Sequence, residues 1–157
     1  MTTPGPLPKP GLELACRLSV KLASPLEKGA APGGQWRIIP IIGGTVDGPK
    51  LRGTVLNLGA DWQTVWDSHA ELDTRYAMET HDGALIDVRN FGYRHGPPEV
   101  LARIAAGNAV DPSEYYMRTQ ARLQSGDPRY QWVNRTIFIG TGHRLADAVQ
   151  LALYAVT

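Results

Sequence analysis

The chain has 157 residues, enough for one domain whose core needs no disulfide or metal staple. Apolar residues make up 43% and charged residues 20%, which excludes a disordered chain. Lys and Arg total 16 against 15 Asp and Glu, interleaved with no basic stripe, so no nucleic-acid partner is expected.

The single cysteine, Cys16, excludes an intrachain disulfide. Residues 1–11 are rich in Pro and Gly and read as a disordered arm without the apolar run of a secretory leader. No stretch reaches the roughly 18 apolar residues of a membrane helix, so no membrane partner is expected and the cytoplasm is the expected compartment. Asn134-Arg135-Thr136 matches a glycosylation sequon and, without a leader, reads as chance.

From residue 12 to the C-terminus the chain reads as a single domain. Leu12, Leu14, Cys16, Leu18, Val20 and Leu22 alternate with polar or small residues, the pattern of a half-buried strand. Residues 24–35 hold two Pro and three Gly and read as a loop. Residues 36–42 read as a short strand broken by Pro40, which suits an edge or a bulge, residues 43–49 as a turn, and residues 51–58 and 61–67 as two further strands.

Residues 70–80 and 84–91 then form the clearest hairpin, with Gly83 in the left-handed position of a three-residue loop. This register sets Tyr76 beside Val88 and Met78 beside Ile86. On the opposite face it pairs Arg75 with Arg89, with Asp73 and Asp87 on the diagonals. Pro97-Pro98-Glu99 opens one short helix, which Gly107 ends. Residues 114–124, 130–140 and 147–156 complete a count of about nine strands. Consecutive strands with tight turns imply a mostly β fold, an antiparallel up-and-down barrel of about nine strands with one short helix.

Several phrases carry a family likeness: Ile38-Ile39-Pro40-Ile41-Ile42-Gly43-Gly44-Thr45, Gly59-Ala60-Asp61-Trp62-Gln63 and Ala70-Glu71-Leu72-Asp73-Thr74-Arg75-Tyr76. To these add Asp82-Gly83-Ala84 running into Val88-Arg89-Asn90, Arg94-His95-Gly96-Pro97-Pro98-Glu99-Val100, Ser113-Glu114-Tyr115-Tyr116-Met117-Arg118-Thr119 and Trp132-Val133-Asn134-Arg135-Thr136. In order, over residues 12–156, they resemble the bacterial and fungal family called domain of unknown function 3237 (uncharacterised protein family 0311). The resemblance implies a β-barrel and supplies no reaction.

Common catalytic signatures are missing. The four His residues lack metal-ligand spacing, Gly43-Gly44 and Gly140-Thr141-Gly142 read as turns and not as phosphate loops, and no nucleophile elbow occurs. No metal or cofactor is expected. The hairpin face with Asp73, Arg75 and Arg89 is the first candidate site. It is either a solvated exterior with weak ion pairs or an inward face on which Arg grips an anion.

Tyr115 and Tyr116 are the second candidate, one buried in the core and the other an acid or oxyanion donor, with Arg118 as a further anion clamp. Trp132 and Asn134 alternate on the next strand, whose two apolar faces suggest cover by a partner subunit and hence a homodimer or higher homo-oligomer. Asp61-Trp62 follows a Gly-Ala turn, where Asp61 either caps the turn or faces a barrel mouth. His95 reads as a residue that caps or packs before the helix, with a functional role as the alternative, and Cys16 reads as a small core residue.

Together these residues suggest a small-molecule barrel whose ligand is anionic. If it is an enzyme, cofactor-independent acid–base chemistry is available on an acidic or enolisable metabolite: isomerisation, hydration or elimination, or cyclisation. Asp73 or Asp61 would be the base, Tyr115 or Tyr116 the acid, and Arg75, Arg89 or Arg118 the clamp, with Trp62, Trp132 and Asn134 lining the site. A metabolite-binding or sensing module, and a structural protein with a filled barrel, are the alternatives.

Overall fold

The computed structural model describes residues 2–157. Its strands are β1 (Leu12–Leu22), β2 (Leu26–Ala31), β3 (Gly34–Asp47), β4 (Gly53–Trp66), β5 (Ala70–Thr80), β6 (Leu85–His95), β7 (Tyr116–Gln124), β8 (Phe138–Arg144) and β9 (Ala148–Val156). The helix α1 (Pro98–Ala105) lies in the β6–β7 connection. From β2 to β9 each strand pairs antiparallel with the next; β9 pairs with β1, and β1 with the second half of β3. Eight strands therefore close an up-and-down barrel, and β2 lies outside the closure against the first half of β3.

The central hairpin has the register that its alternation dictates: Arg75 opposite Arg89, Tyr76 opposite Val88, Met78 opposite Ile86. Gly83 closes its loop at φ 87°, a conformation open to glycine at no steric cost. Elsewhere the structure corrects the strand boundaries. Residues 24–35 are not only a loop, since Pro32-Gly33 makes a tight turn that folds β2 back on β3. The two strands expected at 51–58 and 61–67 are one, β4, with a register shift between Val55 and Gly59.

Of the two readings of Pro40, the bulge holds and the short edge strand does not: the register against β4 shifts between Pro40 and Gly44, and β3 continues past it, exchanging one neighbour for another. Before it β3 pairs with β2, after it with β1, and the missing N–H falls near the change of partner. Gly43-Gly44 and Gly140-Thr141-Gly142 lie inside β3 and β8 and are not turns. Residues 130–135 are not strand either. A 3-10 segment, Pro128–Arg135, starts where Asp127 accepts from the Arg129 N–H, and β8 begins only at Phe138.

The barrel is filled unevenly. One end is apolar: Phe138, Leu153, Ile86, Val88, Met78, Leu123 and Tyr76 are buried together with Leu18 and Val20 of β1. At the other end α1 turns Val100 and Ile104 onto Ala70, Leu72, Val110, Tyr115 and Met117. The helix therefore stops one side of the barrel mouth, and its eight residues hold their place by this packing rather than by propensity. Among the described residues no helix is long and apolar enough to cross a membrane.

Gly59, at φ 110°, sits where β4 shifts register against β5, and a Cβ there would run into the Arg75 carbonyl oxygen. Gly59→Ala is expected to cost about 1–3 kcal/mol and to lower Tm by roughly 2–4 °C for each of them. Gly126→Ala, at a position with nothing within 4 Å of the new methyl, should stay within about 0.5 kcal/mol. Equal melting temperatures for the two variants would contradict the close approach of β4 and β5.

Candidate functional site

The barrel wall turns alternate residues inward, and near the helix-covered end those residues are polar. Asp61 and Gln63 of β4, Thr74 of β5, Asn90 and Arg94 of β6, Thr119 of β7 and Arg144 of β8 surround one internal cavity, closed below by Tyr76 and Leu151. Its volume is about 40 Å³. At roughly 10–15 Å³ per water it has room for about three waters, and an organic molecule would need side chains to move. Inward-facing Gly92 and Gly140 pack tightly against Thr119, which a methyl at either position would run into.

A second, wider space shares two of these residues. Arg94 and Arg144 also line a mouth of about 490 Å³ between α1, the end of β4 and the β8–β9 turn. That is the size of a small-molecule pocket. Val65, Trp66, Leu101 and Ile104 give it an apolar wall, and Arg37 and His69 stand at its rim.

A hydrogen-bonded line runs from the rim inward. Arg37 Nε donates to Gln63 Oε1 at 2.9 Å, Gln63 Nε2 donates to Asp61 Oδ2 at 2.7 Å, and the Asp73 backbone N–H donates to Asp61 Oδ1 at 3.0 Å. Burial pushes the Asp61 carboxyl above its ordinary range, against the pull of Gln63, Thr74, the Asp73 N–H and the Arg94 charge. Arg94 is 8% exposed, and its pKa falls to about 10, first through burial and then through repulsion by Arg37 and Arg144. Burial and Arg37 lower Arg144 in the same way.

Several buried polar atoms here have no hydrogen-bond partner: Arg94 Nη1, Asn90 Oδ1, Thr119 Oγ1 and Tyr76 OH in the cavity, and Trp66 Nε1 at the mouth. Each would ordinarily be bonded, and four of the five belong to residues that line the one cavity.

The candidates from the sequence divide sharply. Asp61 lies in the cavity. Tyr115 is buried behind it, its hydroxyl accepting the Arg144 backbone N–H at 2.8 Å. Asp73, Arg75 and Arg89 are on the outer wall; the Arg75 side chain is 61% exposed and bonds Asp87 at 3.3 Å. The inward orientation considered for this face is thus corrected: Tyr76, Met78, Val88 and Ile86 occupy the interior, and strict alternation sends the charges out.

Tyr116 and Arg118 also face outward, where Tyr116 stacks on His95 at 4.6 Å and Arg118 lies over its ring. Trp62 is 46% exposed on the outside of β4. Trp132 and Asn134 are not strand neighbours. Trp132 packs against Phe138 beneath the apolar end, and Asn134 bonds the Ser125 backbone N–H and C=O at 2.8 Å each, away from the cavity.

Gln63, Thr74, Asn90, Arg94, Thr119, Arg144 and Arg37 were missed. Three of them left a signal in the sequence: Thr74, Asn90 and Arg94 keep the phase of Tyr76 and Val88, so they are polar residues on an apolar face.

The fold and site define a closed antiparallel barrel with a polar, arginine-lined interior at one end. The chain belongs to the family described as protein of unknown function (DUF3237), whose family model matches residues 10–156. A UPF0311 protein from Rhodopseudomonas palustris (strain TIE-1) is 45% identical over 121 residues, 76% of this chain and 79% of that protein. The crystal structure of a beta-barrel like protein from Acinetobacter baumannii AYE is 42% identical, has a TM-score of 0.85, and covers 97% of this chain and 99% of its own. An enzyme from Penicillium herquei shares the fold at 20% identity and a TM-score of 0.72, covering 98% of this chain and 99% of its own.

Because burial raises the Asp61 pKa in the folded state, the native protein holds this proton more tightly than the unfolded chain. Stability should therefore fall as pH rises from the ordinary carboxylate value, about pH 4, through the raised folded value. In denaturant titrations across that range, wild type should lose stability relative to Asp61→Asn as pH rises. Parallel profiles would mean that burial does not perturb Asp61.

Proposed function

We propose that the barrel is a small-molecule site at which an organic molecule sits in the mouth with its polar end toward Asp61, and that Asp61 moves a proton on it. The carrying observation is a buried carboxylate beside two partly uncompensated guanidinium groups, all lining one cavity, with both guanidinium groups also lining the wide mouth. In this reading the Asp61 carboxylate takes a proton from a carbon next to a carbonyl group. Arg94 and Arg144 stabilise the negative charge that develops on the oxygen. Return of the proton at another atom, or loss of a leaving group from the neighbouring carbon, completes an isomerisation or an elimination without a cofactor. The raised pKa suits this work, because a base is most effective when its pKa lies near the working pH. That a barrel of the same fold is an enzyme in Penicillium herquei supports the architecture's compatibility with catalysis.

A module that holds the same molecule unchanged is the competing reading. It draws on the hydrogen bonds that both Asp61 oxygens already accept, which orient the carboxylate but also occupy part of it. Incubation with a cell extract, followed by mass spectrometry, separates the two. The enzyme reading expects a metabolite to be depleted by wild type and by the outer-wall variant Asp73→Asn, with depletion at least 100-fold slower for Asp61→Asn, as for loss of a catalytic base. Retention of a metabolite without depletion supports the binding module, and equal depletion by Asp61→Asn removes the assigned role of Asp61.

A further inference from the structure

We propose that Arg94 and Arg144, with Arg37 at the rim, form an oxyanion clamp where the mouth narrows into the cavity, and that the ligand is an organic acid of about single-ring size entering acid group first. The inference rests on the small-molecule reading above and adds the charge, size and orientation of what is bound. Three observations carry it.

The first is charge balance. Arg37, Arg94 and Arg144 are close enough to repel one another, and among the described residues none of them forms an ion pair. Asp61, the one carboxylate lining the cavity, attracts both Arg94 and Arg144, as Asp147 attracts Arg144, but its hydrogen bonds go to Gln63 and the Asp73 N–H, and burial and mutual repulsion outweigh these attractions. A guanidinium buried to the extent of Arg94 is ordinarily paired, and the planar fork of Arg suits a carboxylate or another oxyanion.

The second is geometry. Nη1 of Arg94 is buried and without a partner, and Arg94 and Arg144 line both the cavity and the mouth. An anion at this boundary would give Nη1 its missing acceptor. Arg144 donates from Nη1 to the Ala148 carbonyl at 3.2 Å, which fixes it at the β8–β9 turn.

The third is volume. About 40 Å³ inside cannot hold a ring, and about 490 Å³ outside can. The body of the ligand therefore stays in the mouth against Val65, Trp66, Leu101 and Ile104, and only its acid group reaches the arginines. Behind that group Asn90 Oδ1, Thr119 Oγ1 and Tyr76 OH are left for small polar atoms or waters.

Isothermal titration of the full chain in low-salt buffer with benzoate, inorganic phosphate and benzyl alcohol tests the clamp. Benzoate should bind saturably and at least tenfold more tightly than either of the others, since benzyl alcohol lacks the charge and phosphate lacks the apolar body. Arg94→Met and Arg144→Met, each checked for an unchanged circular dichroism spectrum, should weaken benzoate at least tenfold, while Arg122→Met on the outer wall leaves it unaltered. Should Arg94→Met fail to fold, Arg144→Met, at a half-buried position, carries the test.

Equal binding of benzyl alcohol, phosphate binding as tight as benzoate, equal loss in Arg122→Met, or no benzoate binding would each overturn the proposal. Depletion of a neutral metabolite from extract, dependent on Asp61, would leave the acid–base reading standing while this one falls.

Discussion

Placing guanidinium groups inside a β-barrel is the costly step to which the rest of this structure is adjusted. A buried charge is normally matched by an opposite charge or complete hydrogen bonding, and Arg94 has neither in full. The apolar end of the barrel bears that cost. Phe138, Leu153, Ile86 and Val88 are each fully or almost fully buried, and they supply the hydrophobic stabilisation that lets the other end remain polar. Arg94, 8% exposed, is shielded from bulk water, which strengthens whatever field it exerts on a bound group, while Arg144 and Arg37 are half-buried along the mouth.

This arrangement gives Asp61 its character. The carboxylate lies on β4 at the pair Asp61–Thr74, where β5 places the Asp73 N–H against one oxygen, and Gln63, two residues along the same strand, reaches the other. Gln63 in turn receives Arg37 from β3. The orientation of the base is therefore set by three neighbouring strands. Asp73 contributes through its backbone while its side chain faces the other way, toward solvent.

The fold was readable in the sequence wherever one face is dry and the other wet. The alternation in β1 and in the β5–β6 hairpin specified strand identity and, in the hairpin, the residue-by-residue register. It was unreadable where the barrel bends. Gly43-Gly44 and Gly140-Thr141-Gly142 have turn composition but lie in strands, because glycine there permits close approach to Ser19 and to Thr119 and Met117. The 3-10 segment Pro128–Arg135 was hidden because its apolar residues, Tyr130, Trp132 and Val133, also fit a strand covered on both sides.

The site followed a similar division. Asp61 was singled out, but the arginines were sought on the most charged face, and a strongly charged face of a strand is usually solvent's. The informative residues were the fewer polar ones keeping step with Leu72, Tyr76 and Val88. Arg37 and Arg144 came into the site only because the sheet curls and closes, so that β3, β6 and β8 turn residues into one interior, a relation that no local pattern encodes. The most direct measurement is an NMR titration of the arginine Nε–Hε resonances with benzoate. The account predicts saturable shifts at Arg94 and Arg144, with Arg75 and Arg89 stationary. Movement of the outer-wall pair in step with the inner pair, or inner resonances that stay fixed, would contradict it.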